Sequence, residues 1–139
     1  MSDLLNHIVV PDLNDPLFVP FWAGMKAREL RLQYCPASAK TYWPPRHRCA
    51  ISGSTEFEWR PISTSGTIFS FVTVGKSMIK GFEAPYEICL IDLADAPGVR
   101  VVGVLDTAHE ASIGAKVTGY FVEAGENQEI TLLRWRVAA

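Results

Sequence analysis

Apolar residues first form a pattern at Phe18, Phe21, Trp22 and Met25, spaced i, i+3, i+4 and i+7. Such a stripe predicts a short amphipathic helix over 17–28. Pro16 and Pro20 stand where the start of a helix tolerates them. The simplest fate of the stripe is burial against the rest of the chain, although two large aromatics on a short helix also offer a docking surface. The period then shortens to two. Leu30, Leu32 and Tyr34 alternate with Arg31 and Gln33, giving a strand that runs into Cys35. Glu56-Phe57-Glu58-Trp59 alternates again as its return strand. Residues 35–55 between them are rich in Pro, Ser, Cys and Gly and have little periodicity. A segment of that kind folds around a metal or by packing on something larger.

Beyond Pro61 the pattern is that of strands, over 66–74, 86–93, 99–105, 116–122 and 130–137, separated by glycine and proline turns. A helical-looking connector, Thr107 to Gly114, follows the third. Five short strands so connected predict a five-stranded Greek-key barrel, with a plain sandwich as the alternative. The expected fold class is therefore mainly β: an N-terminal arm and amphipathic helix over 1–29, a ribbon over 30–60 and a barrel over 61–139. The boundary is expected at Arg60–Pro61.

With 139 residues, 48% hydrophobic and 20% charged, the chain can bury a core. No apolar run approaches the roughly 20 residues of a membrane span. Met1 to His7 lacks the basic start and apolar core of a secretory signal, and the three cysteines do not suit a secreted disulfide framework. A cytoplasmic protein with no membrane partner is the expectation. The net charge of −2 is uneven: residues 26–60 hold seven Lys or Arg and three acids, so that stretch is +4 and the remainder −6. A basic module on an acidic body suits a small anionic ligand or a partner with a matching patch. It suits nucleic acid less well, because phosphate-tracking domains are basic throughout their binding surface.

The densest chemistry lies in the aperiodic segment. Cys35-Pro36-Ala37-Ser38 and Cys49-Ala50-Ile51-Ser52 have the spacing of paired C-x2-C zinc knuckles, but each second sulfur is a hydroxyl. Zinc wants four thiolate or imidazole donors in a tetrahedron, and a neutral serine is a poor substitute. His47, two residues before Cys49, is badly spaced to join that knuckle. No metal is therefore expected, with Cys35, Ser38, Cys49 and Ser52 as vestigial positions. Packing by Tyr34, Tyr42, Trp43, Pro44, Pro45, Ile51 and Phe57 would replace the ion. Cys35 and Cys49 would then be free thiols in a reducing cytoplasm, close enough to form a disulfide on oxidation.

The order of parts resembles the DUF35 family, a rubredoxin-like zinc ribbon followed by an OB-fold. Phe21-Trp22 comes first. Leu30-Arg31-Leu32-Gln33-Tyr34-Cys35 then enters a ribbon carrying Trp43-Pro44-Pro45-Arg46 and Cys49, and Trp59 closes it. Gly66-Thr67-Ile68-Phe69-Ser70-Phe71-Val72 opens the barrel, and Ile113-Gly114-Ala115-Lys116-Val117 precedes its fourth strand. The match runs over about 17–137. The resemblance implies a small accessory subunit of an acyl-CoA enzyme in a hetero-oligomer. The partner would be a thiolase-superfamily enzyme or an aldolase, hydratase or acyltransferase, whose acyl-CoA channel the subunit helps to shape.

Beside that reading, Arg46 and Arg48 are candidate phosphate clamps for coenzyme A. Trp43 or Trp59 is a candidate adenine platform, against the simpler reading of both as ribbon core. Phe82, with Met78 and Ile79, is a candidate contact for an acyl chain or a partner. His7, His47 and His109 belong to no catalytic motif, and Cys89 between Ile88 and Leu90 reads as a buried structural thiol. No catalytic residue is assigned, and an independent enzyme is the minority reading. An OB-fold that binds single-stranded nucleic acid is the rival, with Phe69, Phe71 and Tyr86 as its aromatics.

Overall fold

The computed structural model describes residues 8–138. Helix α1 is Val19–Lys26, shorter at both ends than the stripe predicts. Before it, Asp15 gathers the chain into a turn, its carbonyl accepting from Phe18 N and Val19 N at 2.9 and 3.0 Å. Behind it, Arg28 adopts a left-handed φ of 61°. Arg28 N then donates to Met25 O and Glu29 N to Gly24 O, closing the last turn in the paired pattern of a Schellman cap. The Arg28 guanidinium reaches Phe121 O at 3.0 Å and fixes that end of the helix to the barrel.

The ribbon is a three-stranded antiparallel sheet of β1 (Leu30–Cys35), β2 (Lys40–Tyr42) and β3 (Glu58–Ile62), in the order β2-β1-β3. The expected return strand begins later and runs longer, with Leu30 opposite Ile62 and Tyr34 opposite Glu58. The short β2, opposite Gln33 to Cys35, had no alternating apolar pattern to reveal it. β3 passes straight through Arg60–Pro61, and two residues later β4 begins.

The second sheet comprises β4 (Ser65–Val74), β5 (Tyr86–Leu93), β6 (Arg100–Val104), β7 (Lys116–Ala124) and β8 (Ile130–Val137), in the order β6-β5-β4-β7-β8. Its ends meet where Leu105 bridges Trp135 in parallel and Asp106 N donates to Trp135 O at 2.8 Å. This closes the five strands into an OB-fold barrel. Trp135, wholly buried, fills the interior together with Ile68, Ile91, Val101 and Val117. Room for the indole comes from Gly103, where a Cβ would collide with the Trp135 ring.

The segment after β6 is not helical. Residues 107–115 are turns and coil, and His109 has a left-handed φ of 66°. The buried Glu87 holds this connector by accepting from Ala111 N at 3.0 Å and from the Thr73 hydroxyl at 2.9 Å. Those donors keep its carboxyl below the usual range although burial opposes ionisation. Helix α1 lies between the two sheets. Phe21 and Met25 are buried, and Phe21 packs on Trp22 and Trp43 with ring centroids 5.0 and 4.6 Å apart. The aromatic stripe is thus spent on joining ribbon to barrel.

Candidate functional site

At the head of the ribbon, the four knuckle positions converge in crossed pairs. Ser38 Oγ lies 3.2 Å from Cys49 Sγ, and Cys35 Sγ lies 3.5 Å from Ser52 Oγ. The Tyr42 hydroxyl is also 3.2 Å from Cys49 Sγ, and Ser52 N donates to that sulfur at 3.5 Å. Burial opposes ionisation of Cys49. The hydroxyl of Ser38, the hydroxyl and amide of Ser52 and the phenol of Tyr42 outweigh it and bring the thiol down to about 5. The same contact, together with burial, raises the Tyr42 phenol. Both ribbon cysteines are free and buried. Among the described residues no three His, Cys, Asp or Glu side chains cluster as metal donors. Two sulfurs and two neutral hydroxyls, already engaged with one another, do not fit a tetrahedral zinc site.

Below this head, buried Gln33 clasps the ribbon loop. Its side-chain amide donates to Arg46 O and its oxygen accepts from Arg46 N, both at 2.8 Å. The clasp puts Arg46 and His47 on the wall of a cleft of about 350 Å³ that Trp59, Phe57, Leu17 and the acidic Glu56 also line. Arg46 also lies over the Tyr42 ring, 4.8 Å from its centroid. Of the sequence candidates, Arg46 and Trp59 therefore share one cleft. Arg48 turns back to donate to Gly53 O at 2.6 Å. Trp43 is on the helix side, packed on Phe18 and Phe21. Phe82 is remote from all of these, at the barrel rim 5.7 Å from Tyr86. His109 is exposed on the connector, and His7 lies outside the described residues. Burial pushes the Cys89 thiol up to about 11, as an inert core sulfur requires.

An exposed apolar face was not singled out in the sequence. On β5 the outward residues are Tyr86, Ile88, Leu90 and the charged Asp92. Register places Val72 and Val104 beside Ile88, and Val102 beside Leu90. These side chains form an apolar outer face across β4, β5 and β6, with a shallow depression between Val72, Ile88, Leu90 and Val102. Val72 is 58% exposed and Val102 68%. Met78, 75% exposed, lies on the loop that leaves the end of β4. The signal was present in Ile88-Cys89-Leu90-Ile91, four consecutive apolar residues within β5, a run that marks a strand covered on both faces.

The aromatics proposed for nucleic acid do not make a stacking platform. Phe71 packs into the barrel core. Phe69, still 45% exposed, has one ring face taken by Arg100 at 3.6 Å from its centroid, and Arg100 is held in turn by Asp92 at 2.7 Å. Arg136 lies over Tyr120, and Arg134 is buried.

Two adjoining family profiles match the chain: the ChsH2 rubredoxin-like zinc ribbon domain over residues 22–58 and the ChsH2 C-terminal OB-fold domain over 59–122. The chain belongs to the ChsH2/DUF35 family. It superposes on a chain of the solved structure "Ltp2-ChsH2(DUF35) aldolase" with a TM-score of 0.83 and 25% identity, covering 94% of this chain and 100% of that one. A DUF35-family protein of unknown function from Sulfolobus solfataricus shares the fold, with a TM-score of 0.62 and 15% identity over 91% of this chain and 89% of that one. In sequence, the chain is 33% identical over 105 residues to the "3-oxo-4,17-pregnadiene-20-carboxyl-CoA hydratase alpha subunit" of Mycobacterium tuberculosis. It is 30% identical over 123 residues to the "Probable enoyl-CoA hydratase alpha subunit" of Thermomonospora curvata. These alignments take in 74% and 85% of this chain, which spans about a third of each curated relative, 33% and 37%. Among the described residues no helix is long and apolar enough to cross a membrane.

Proposed function

We propose that this chain is a non-catalytic accessory subunit of an acyl-CoA-processing enzyme, a hydratase, aldolase, thiolase-like enzyme or acyltransferase. It docks through the outer face of β4, β5 and β6. The observation that carries the reading is that contiguous apolar face on a barrel whose interior is already filled by Trp135. An exposed patch of this kind marks a protein interface. Its occupant is inferred from the hydratase subunits and the aldolase assembly to which the chain is similar. The ribbon functions without zinc, its knuckles held by the crossed Cys–Ser pairs. Arg46 and Trp59 offer the cleft for an anionic, aromatic-bearing part of the acyl-CoA. A nucleic-acid role has less support, since Ile88, Leu90, Val72 and Val102 stand on the barrel face where cations and free aromatics would be needed.

The test is capture of tagged protein from its native host, followed by identification of the bound subunit. An acyl-CoA enzyme at stoichiometric level is expected. Val72→Glu with Val102→Glu is expected to abolish that capture and leave the melting temperature within a few degrees of the parent. Unchanged capture by the double variant would move the interface elsewhere.

A further inference from the structure

Arg134 is an anomaly in the barrel. It is 7% exposed, yet no carboxylate lies within 4.0 Å of it among the described residues, where the ion pairs are made by Arg28, Arg31, Arg60 and Arg100. Its Nη2 donates to Leu105 O at a long 3.4 Å and its side chain faces the Tyr120 hydroxyl. Its buried Nε has no acceptor. That atom is shut off from solvent, so what the barrel rim offers a ligand is the outer edge of the guanidinium, a cation held by one long hydrogen bond.

Arg134 lines a cavity of about 350 Å³ at the barrel rim, between the loop before β5 and the end of β6. Phe82, Tyr86 and Leu105 supply apolar walls, and Glu83 and Asp106 bring two carboxylates to the same cavity. The lining therefore carries one positive and two negative side chains, so it does not attract a further anion, and least of all a phosphate dianion. What it offers is a donor beside two acceptors across an apolar wall. The group that matches both at once is a secondary amide: its C=O accepts from the guanidinium, and its N–H donates to a carboxylate.

We infer that the cavity between Arg134, Phe82, Tyr86 and Asp106 is a binding site for a neutral amide group, brought either by the backbone of a protein segment or by an amide-bearing small molecule. The site is separate from the Arg46 cleft and meets the outer face of β4, β5 and β6 only at Tyr86, away from Val72 and Val102, so its failure would leave the proposed docking function standing.

The test is a titration of the full-length 15N-labelled chain, observing the Arg134 Nε–H resonance and the backbone amides of Phe82 and Tyr86. The probes are N-acetylalanine methylamide, N-(2-hydroxyethyl)acetamide, and acetate and phosphate at matched ionic strength. Both amides are expected to shift these resonances saturably, and the anions are not. Tighter binding of the capped peptide identifies a protein segment as the source, and tighter binding of the hydroxyethyl amide a small molecule. Arg134→Met is expected to abolish the shifts at Phe82 and Tyr86. Asp106→Asn, at the rim, is expected to weaken amide binding several-fold in a chain with native dispersion. Saturation by acetate or phosphate in preference to the amides, no saturable shift at all, or unchanged amide affinity in Asp106→Asn would overturn the inference.

Discussion

Around Cys49, hydroxyls occupy the places where a zinc knuckle has thiolates, and they change what the sulfur does. In an unfolded chain a thiol keeps its proton up to about pH 8.5. In the fold, Cys49 releases it near 5. Between those values the unfolded state binds more protons, so stability rises with pH across the window and is lost as pH falls through the folded value. The melting temperature is therefore expected to climb from pH 5 toward 8.5. Cys49→Ser, which cannot titrate, is expected to flatten that climb, and added zinc is expected to leave both proteins unchanged. A zinc-dependent rise of the parent would refute the metal-free ribbon. Gln33 is the second residue on which the ribbon turns. Gln33→Leu keeps the volume but orphans both the N–H and the C=O of Arg46. A loss of about 1–3 kcal/mol in denaturant unfolding is expected, together with loosening of the Arg46 cleft.

Among the elements, β6 is constrained by one atom's width. Gly103→Ala puts a methyl group into the Trp135 indole at the centre of the barrel. The expected cost is about 1–3 kcal/mol by equilibrium unfolding, whereas a change at exposed Gly75, which has open space beside it, costs far less. The five barrel strands were legible because period-two alternation and turn residues bound each of them, and observed ends lie within two residues of expectation. Helix α1 was legible as an element but not in its limits. Those depend on the Asp15 turn and on Arg28 entering a left-handed conformation that sequence favours for glycine. The connector Thr107 to Gly114 was expected to look helical, while its real organiser is Glu87, some twenty residues upstream.

For the whole molecule, the N-terminal helix is the joint that makes one body of two small sheets. Phe21 and Met25 supply the shared core, and Arg28 ties the helix end to β7 through Phe121 O and Glu123. Among the described residues this arrangement leaves the apolar outer face of β4, β5 and β6 without a covering element. The knuckle spacing and the order of parts were legible in the sequence, because they are local. Pairing of Cys49 with Ser38, of Arg46 with Trp59 in a cleft, and the burial of Arg134 without an ion pair among the described residues were not, because each is fixed by tertiary packing. The account's central claim concerns association, so the most direct measurement is the mass in solution of this chain co-expressed with the acyl-CoA enzyme it captures, by size-exclusion chromatography with light scattering. The prediction is a single stoichiometric hetero-complex that dissociates to free subunits in the Val72→Glu, Val102→Glu variant. A chain that elutes alone at its own mass of 15.4 kDa in the presence of that enzyme would contradict the account.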